Sequence, residues 1–176
     1  MTTPSLRDGV TIWLTGLPSS GKTTIAHALA KKLGDAGFER VEVLDGDQVR
    51  PWLSPRAGYS RADRDEHILR VGRVAHLLAR NGVIVLVPVV SPYRAARDEV
   101  RELHDGRFVE VFVEAPSAVC QTRDVKGLYA KAKAGEISGM TGLDDPYEPP
   151  VAPEITVRTD EQTIDESVEQ VWQAFR

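Results

Sequence analysis

The chain has a single cysteine, Cys120, so it cannot form an intramolecular disulfide or a metal site built from several cysteines. Its longest uninterrupted apolar run, residues 83–90, is too short to cross a bilayer. The formal net charge of −4 gives no reason to expect nucleic-acid binding, and residues 1–8 lack the basic and apolar stretches of a secretory signal. The 176 residues fit one domain, residues 1–176, which we expect to be cytoplasmic and without a membrane or nucleic-acid partner.

Apolar runs alternate with segments of helical periodicity along the chain. The apolar runs predict five strands, at residues 10–15, 41–45, 83–87, 108–113 and 155–157. Apolar residues at helical spacing predict helices at residues 25–33, 68–79, 94–103 and 164–175, with another after Pro116. This alternation predicts an α/β fold, a three-layer α/β/α sandwich around a five-stranded, mostly parallel sheet. We place the most continuously apolar strand, residues 83–87, at the centre.

Residues 124–153 interrupt this alternation because they are rich in glycine, proline and charge. The segment is too long for an ordinary connection and too polar for the core. Long excursions of this kind are usually lids or binding loops, so we interpret residues 124–153 as a lid segment. A disordered surface loop is the alternative.

One octapeptide, Gly-Leu-Pro-Ser-Ser-Gly-Lys-Thr, matches the P-loop pattern G-x-x-x-x-G-K-[ST] and lies between a predicted strand and a predicted helix. The backbone N–H groups of such a loop surround phosphates, and the helix N-terminus adds its positive dipole end. We therefore expect ATP to bind here, with Lys22 contacting the β and γ phosphates and Thr23 ligating Mg²⁺. The predicted nucleotide-binding residues are Gly16, Leu17, Pro18, Ser19, Ser20, Gly21, Lys22, Thr23 and Thr24.

The rest of the sequence narrows the class of P-loop protein. A GTPase reads guanine with an Asn-Lys-x-Asp motif, whereas the only asparagine here, Asn81, precedes a glycine. A motor or helicase needs modules beyond this chain length. A small kinase fits the sequence, and a non-catalytic nucleotide-binding module is the alternative.

Two carboxylates follow the second predicted strand, at the edge where open α/β sheets bind ligands. Asp45 and Asp47 flank Gly46, which we expect to form a tight turn that directs both side chains into the crevice. One carboxylate would orient the metal shell, and the other would accept a hydroxyl proton. A surface turn also uses this Asp-Gly-Asp pattern.

Taken in order, these motifs resemble those of the adenylyl-sulfate kinase family, whose members phosphorylate the ribose 3′-hydroxyl of adenosine 5′-phosphosulfate (APS) to give PAPS. The resemblance runs from Trp13 to about Pro150. It rests on residues 16–24 (Gly-Leu-Pro-Ser-Ser-Gly-Lys-Thr-Thr), 44–47 with Arg50, 63–64, 91–94 (Ser-Pro-Tyr-Arg), 123–129 (Arg-Asp-Val-Lys-Gly-Leu-Tyr), 135–137 and 141–150. The linkage of these blocks makes the match specific.

The resemblance implies in-line transfer from Mg·ATP and a role for particular residues. It implies that Lys22, Asp47 and Ser91 are catalytic, that Thr23 and Asp45 hold the metal, and that Arg123 joins the nucleotide site. The acceptor-binding residues that it implies are Asp47, Arg50, Tyr59, Arg64, His67, Val90, Ser91, Lys126 and Met140. Arginines suit the phosphosulfate because guanidinium groups donate paired hydrogen bonds. We also expect a homodimer.

Two of these residues have a structural alternative. Arg64 lies in a charged run, residues 63–66, and would also fit the solvated start of a helix. Ser91 is described in the family as a phosphoserine intermediate. Phosphoryl transfer needs mainly alignment and charge neutralisation, so Ser91 would serve equally as a hydrogen-bonding or capping residue.

Three positions depart from the family pattern. Tyr59 and Met140 stand where the family commonly has phenylalanines against the substrate adenine, and His67 replaces an asparagine. Tyrosine and methionine still cover a purine face, whereas histidine alters the hydrogen bonding. His67 lies three residues after Arg64, so it either faces the same pocket or pairs with Asp63. These departures leave open a different nucleotide-like hydroxyl compound as the acceptor.

Overall fold

Five parallel strands form the middle layer of the fold in the computed structural model, which describes residues 4–175. They are β1 (Val10–Thr15), β2 (Val41–Val43), β3 (Ile84–Pro88), β4 (Phe108–Glu114) and β5 (Ile155–Arg158). Every pairing between them is parallel, which confirms the predicted five-stranded α/β sheet. Residues 1–3 and 176 of the predicted domain lie outside the described residues.

The order of strands across the sheet is β2-β3-β1-β4-β5, so β1 occupies the centre. The strand predicted there, β3, is interior but lies one position away. Both faces of β1 are buried, with Trp13 in the apolar cluster on one side and Ile12 and Leu14 in the cluster on the other. A fully buried run identifies an interior strand, but its place depends on pairing between distant segments.

Helices cover both faces of the sheet. They are α1 (Lys22–Asp35), α2 (Gly46–Leu53), α3 (Arg61–Ala79), α4 (Arg94–Leu103), α5 (Ser117–Arg123), α6 (Leu128–Lys133) and α7 (Ile164–Gln173). Helices α1 and α7 pack on one face, and α3 and α4 pack on the other, which gives the predicted three layers. Within residues 4–175, the chain has no helix with the length and apolar character needed to cross a membrane.

Helix α2 begins where the sequence predicts a tight turn. Asp45 is its N-cap, and the Asp45 carboxylate accepts a hydrogen bond from the Asp47 N–H group at 2.9 Å. A Cβ atom on Gly46 would lie only 2.7 Å from Val89 Cγ2. The tight-turn prediction is therefore wrong, because Gly46 serves to bring α2 close against the end of β3.

The lid segment, residues 124–153, contains α6 and several buried contacts. The Asp124 carboxylate accepts hydrogen bonds from two N–H groups in the first turn of α6, at 3.0 and 2.9 Å. Tyr129 and Met140 are buried in one apolar cluster. The Tyr129 hydroxyl donates to the Pro18 carbonyl oxygen at 3.1 Å, so α6 contacts the predicted phosphate loop directly.

Candidate active site

One cavity of about 1100 Å³ opens at the carboxyl ends of the strands and contains most of the predicted site residues. Its walls come from the phosphate loop, α2, the turn after β3, the lid segment and the connection from β5 to α7. The predicted residues that line it are Pro18, Ser19, Gly21, Lys22, Thr23, Thr24, Asp47, Arg50, Tyr59, Arg64, His67, Val90, Ser91, Arg123, Lys126 and Met140. Gly16, Leu17, Ser20 and Asp45 do not line it.

Three phosphate-loop residues support the loop from behind. A Cβ atom on Gly16 would lie 2.3 Å from the Val113 carbonyl oxygen, so the loop approaches β4 more closely than a side chain permits. Leu17 packs in the apolar cluster of the lid segment. Ser20 is buried, and its carbonyl accepts a hydrogen bond from the Thr159 hydroxyl at 2.8 Å. The shape of the loop is therefore held by β4, by the apolar cluster of the lid segment and by Thr159.

Lys22 lies in the first turn of α1 with its ammonium group folded back over the loop. Nζ donates to the Leu17 carbonyl oxygen at 2.6 Å and lies 3.4 Å from Ser20 Oγ. Burial of the ammonium group lowers the pKa of Lys22 to about 8. A cation that has lost solvent interacts more strongly with an anion than an exposed one does, which suits Lys22 to a phosphate.

Thr23 and Asp45 provide oxygen atoms that fit Mg²⁺. Thr23 Oγ1 donates to Asp45 Oδ2 at 2.8 Å, and Asp45 is 4% exposed. Among residues 4–175, no group of three or more His, Cys, Asp or Glu side chains could enclose a metal ion. Mg²⁺ usually binds one or two protein oxygens together with substrate phosphates and water, and this pair fits that pattern. Asp45 does not face the cavity directly as predicted, because its carboxylate also caps α2.

Asp47 projects from the first turn of α2 into the cavity and forms an ion pair with Lys126 of the lid segment. The two side chains are 72% and 54% exposed, so the pair contributes little to folding stability. The contact brings the lid segment over the carboxylate that is predicted to accept a proton. A bound anion would compete with Asp47 for Lys126, and a bound hydroxyl would compete with Lys126 for Asp47.

Arg50 and Arg64 approach the same part of the cavity from α2 and α3. Arg64 donates to Thr141 Oγ1 at 2.6 Å, and its side chain is only 13% exposed. The alternative that Arg64 is solvated is therefore wrong. Arg50 donates to the Gly58 carbonyl, and its guanidinium carbon lies 4.8 Å from the centroid of the Tyr59 ring. The two guanidinium groups form a positively charged wall that suits an oxyanion.

His67 links the two helices that carry these arginines. Its Nδ1 lies 2.8 Å from Oγ of Ser54, the C-cap of α2, and both side chains are buried. Asp63 instead contacts Ser60, so the alternative pairing of His67 with Asp63 is wrong. Burial lowers the pKa of His67 to about 4, which keeps the ring neutral at neutral pH. His67 thus lines the cavity as an uncharged hydrogen-bonding group.

Tyr59 and Met140 form two different surfaces of the cavity. Tyr59 is 68% exposed, and the guanidinium carbons of Arg50 and Arg64 lie 4.8 and 5.8 Å from its ring centroid. Met140 is 5% exposed and packs in the same apolar cluster as Tyr129 while it lines the cavity. Tyr59 has room to rotate over a purine, whereas Met140 offers a fixed apolar surface.

The Ser91 hydroxyl is held inside the protein. It accepts a hydrogen bond from Trp13 Nε1 at 3.1 Å and donates one to Thr15 Oγ1 at 2.9 Å. Ser91 is 1% exposed, and its backbone adopts a left-handed conformation with φ of 42°. This geometry matches the hydrogen-bonding alternative. Ser91 and the neighbouring Val90 shape the cavity wall, while the Ser91 hydroxyl points to other side chains.

The sequence reasoning missed the connection between β5 and α7. Thr159, Gln162, Thr163 and Ile164 line the cavity beside Arg123. Arg123, which was predicted, donates to Thr159 Oγ1 at 3.0 Å. A signal was present, because residue 159 follows the last predicted strand, and the carboxyl ends of parallel strands lie at one edge of the sheet.

Several known proteins are similar to this chain over nearly its whole length. The family model described as adenylylsulphate kinase matches residues 8–158. A probable adenylyl-sulfate kinase of Synechocystis is 62% identical over 94% of this chain and 92% of its own length. An adenylyl-sulfate kinase of Rippkaea orientalis is 62% identical over 95% of this chain and 91% of its own. The chain also matches a solved structure, that of the Mycobacterium tuberculosis APS kinase CysC in complex with AMPPNP and APS. The two sequences are 42% identical, the TM-score is 0.90, and the match covers 97% of this chain and 98% of that one. The chain therefore belongs to the adenylyl-sulfate kinase family.

Proposed function

We propose that this protein transfers the γ-phosphate of ATP to the ribose 3′-hydroxyl of APS and forms PAPS in sulfate assimilation. The observation that carries the proposal is a single cavity in which the phosphate loop faces a carboxylate, Asp47, and two guanidinium groups, Arg50 and Arg64. The cavity of about 1100 Å³ exceeds the volume of most pockets for one small ligand, in keeping with two nucleotides. The related M. tuberculosis enzyme was solved with AMPPNP and APS.

The donor half of the cavity is formed by the phosphate loop and its neighbours. The loop N–H groups and Lys22 would bind the phosphates of ATP. Thr23 and Asp45 would hold Mg²⁺, which supplies charge neutralisation at the β and γ phosphates when it is bound. Arg123 and Thr159 lie beside the loop and are proposed to contact the adenosine of ATP.

The acceptor half is formed by α2, α3 and the lid segment. Arg50 and Arg64 are proposed to bind the phosphosulfate, because each guanidinium group donates hydrogen bonds in a plane that fits two oxygens of an oxyanion. Tyr59 and Met140 are proposed to cover the purine faces. His67 offers a hydrogen-bonding group that is neutral at neutral pH. A positive charge at this position would repel Arg50 and Arg64, and a negative charge would attract them.

The chemical step needs alignment and charge stabilisation more than covalent catalysis. Asp47 is proposed to accept the proton of the 3′-hydroxyl as that oxygen attacks the γ-phosphorus in line. Lys22 stabilises the charge that develops on the transferred group. Lys126 would exchange its contact with Asp47 for one with substrate, which frees the Asp47 carboxylate and keeps the lid segment over the cavity. Ser91 has a positioning role here, since its hydroxyl is already engaged by Trp13 and Thr15.

A kinase of the same fold with another nucleotide-like acceptor is the second candidate, and His67 and Met140 are the residues that favour it. Like Tyr59, they line the acceptor half and differ from the family pattern, whereas the phosphate loop, residues 16–24, matches it. A non-catalytic module is disfavoured, because Lys22, Asp47 and Arg50 all line one cavity.

An assay of ADP release in the presence of ATP and Mg²⁺ tests the proposal. APS should stimulate ADP release and yield PAPS on chromatography, whereas adenosine 5′-phosphate should not. The Lys22→Ala variant serves as the negative control. If another acceptor stimulated ADP release and APS did not, the assignment of APS as the acceptor would be wrong, although the protein would still be a kinase.

Subunit association and location remain sequence-based proposals. We propose a homodimer, which light scattering of the purified chain would test. We propose a cytoplasmic location, and cell fractionation would test it.

A further inference from the structure

We infer that Arg97 is a positioning residue for the acceptor site, which it influences from outside the cavity. It holds the turn at Ser91 and residues 145–149, which we call the strap. The inference rests on the proposed function, because it concerns the acceptor half of the same cavity. Arg97 is 1% exposed and does not line the cavity, so it acts only through the groups that it contacts.

Arg97 uses all three of its guanidinium nitrogens. Nε donates to Glu110 Oε1 at 2.9 Å, Nη1 to the Ser91 carbonyl oxygen at 2.5 Å, and Nη2 to the Glu148 carbonyl oxygen at 2.6 Å. Glu110 lies on β4 and is itself buried. One side chain therefore ties the sheet, the turn after β3 and the strap together. The planar fork of arginine suits this task because its donors point in fixed directions.

The turn at Ser91 requires such a restraint. Its φ of 42° is uncommon for a residue with a side chain and persists only where the surroundings hold it. Trp13 and Thr15 hold the Ser91 hydroxyl, and Arg97 holds its carbonyl. Ser91 and Val90 line the cavity, so release of the carbonyl would let the wall of the acceptor site move.

The strap provides a second route to the acceptor site. Its Glu148 carbonyl is held by Arg97. Three residues earlier, the Asp145 carboxylate accepts a hydrogen bond from the Tyr93 hydroxyl at 2.7 Å and lies 3.9 Å from Arg64 Nε. Arg64 is proposed to bind the phosphosulfate. Arg97 thus fixes the segment that helps to orient Arg64.

Arg101 offers a matched control on the same helix. It pairs with Glu110 at 3.2 Å and with Glu154 at 2.5 Å, so it belongs to the same chain of ion pairs. Its side-chain hydrogen bonds go to these two carboxylates and not to the Ser91 carbonyl or the strap. A change at Arg101 weakens the ion pairs without releasing the acceptor wall.

The test compares Arg97→Lys with Arg101→Lys. Lysine keeps the charge next to Glu110, but its single nitrogen cannot reach both carbonyls. We expect Arg97→Lys to raise the KM for APS about tenfold and to leave the KM for ATP within about twofold of wild type. Arg101→Lys also weakens an ion pair with Glu110, but it should change neither KM. Equal changes in the two KM values of Arg97→Lys, or an unchanged KM for APS, would overturn the inference.

A second measurement does not depend on APS turnover. The indole N–H of Trp13 donates to Ser91 Oγ, so its NMR resonance reports on the turn; a Trp13→Phe variant assigns it. The resonance should shift in Arg97→Lys and stay in place in Arg101→Lys. A resonance that does not move in Arg97→Lys overturns the inference, whereas a wild type inactive on APS overturns only the proposed function.

If Arg97→Lys does not fold, Arg97→Gln combined with Glu110→Gln replaces it. This double change removes both buried charges together and so leaves neither unpaired. The same shift in KM for APS and in the Trp13 resonance is expected, and the absence of both would contradict the role of Arg97.

Discussion

The Thr23 hydroxyl lies 2.8 Å from the Asp45 carboxylate, which joins the first turn of α1 to the N-cap of α2. We expect Asp45→Asn to raise the Mg²⁺ concentration for half-maximal activity about tenfold, because the amide keeps an acceptor for the cap but removes the charge. Initial rates over a series of Mg²⁺ concentrations, at saturating ATP and APS, measure this. Asp165→Asn, in the first turn of α7, is the control. An unchanged Mg²⁺ requirement in Asp45→Asn would remove Asp45 from the metal site.

Lys22→Ala should abolish phosphoryl transfer and leave the fold intact. Loss of one group that stabilises the transition state costs on the order of 100-fold to 1,000-fold in kcat. The ammonium group contacts only polar atoms of the loop, so the free energy of unfolding should change by less than about 1 kcal/mol. Steady-state kinetics and urea unfolding test the two parts. Lys32→Ala, which removes a surface ion pair from the same helix, should retain activity; turnover at the wild-type rate in Lys22→Ala would reject the phosphate site.

ATP binding should take up a proton at alkaline pH. Burial lowers the pKa of Lys22 from 10.5 to about 8, so the folded chain binds fewer protons than the unfolded chain between these values. The contribution of Lys22 to stability therefore rises with pH across that range. Bound phosphates favour the charged ammonium group, so they raise the pKa of Lys22 again and the group takes up a proton. Calorimetric titrations near pH 9, in buffers of different ionisation enthalpy, should show uptake approaching about one proton per ATP. The same uptake in Lys22→Met would assign the proton to another group.

His67 and Met140 should decide the preference for the acceptor. If the acceptor is APS, His67→Asn combined with Met140→Phe should keep or raise kcat/KM for APS, because an aromatic ring that stacks on a base contributes about 1–3 kcal/mol. That corresponds to a gain of about fivefold to about 150-fold. Wild type and variant are assayed with APS and with adenosine 5′-phosphate at fixed ATP and Mg²⁺. Negligible APS turnover by both proteins, with ATP still bound, would leave only the kinase class.

The lid segment should become ordered when both nucleotides bind. Tyr129 and Met140 are already buried, so we expect slow hydrogen exchange near them in the free protein. The exposed stretches at residues 125–126 and 133–138 should exchange fast and gain protection with an ATP analogue and APS. Hydrogen-exchange mass spectrometry measures this segment by segment. Equal protection with and without ligands would contradict a lid.

Local signals explain what the sequence alone could predict. The phosphate loop is predictable because eight consecutive residues between a strand and a helix carry its chemistry. Helix α2 is not predictable, because Pro51 lies inside it and proline normally ends a helix. The burial of the Ser91 hydroxyl is also not predictable, because its partners Trp13 and Thr15 lie 78 and 76 positions away in the chain. Contacts between distant segments determine which way a side chain points.

The hydrogen bond from the Tyr129 hydroxyl to the Pro18 carbonyl joins the lid segment to the phosphate loop. A rearrangement of that loop on ATP binding would therefore reach α6 through this hydrogen bond. Thermodynamic coupling of this kind is reciprocal, so the factor by which ATP alters the affinity for APS equals the factor by which APS alters the affinity for ATP. With such coupling, the dissociation constants of the two separate binary complexes do not by themselves describe the ternary complex.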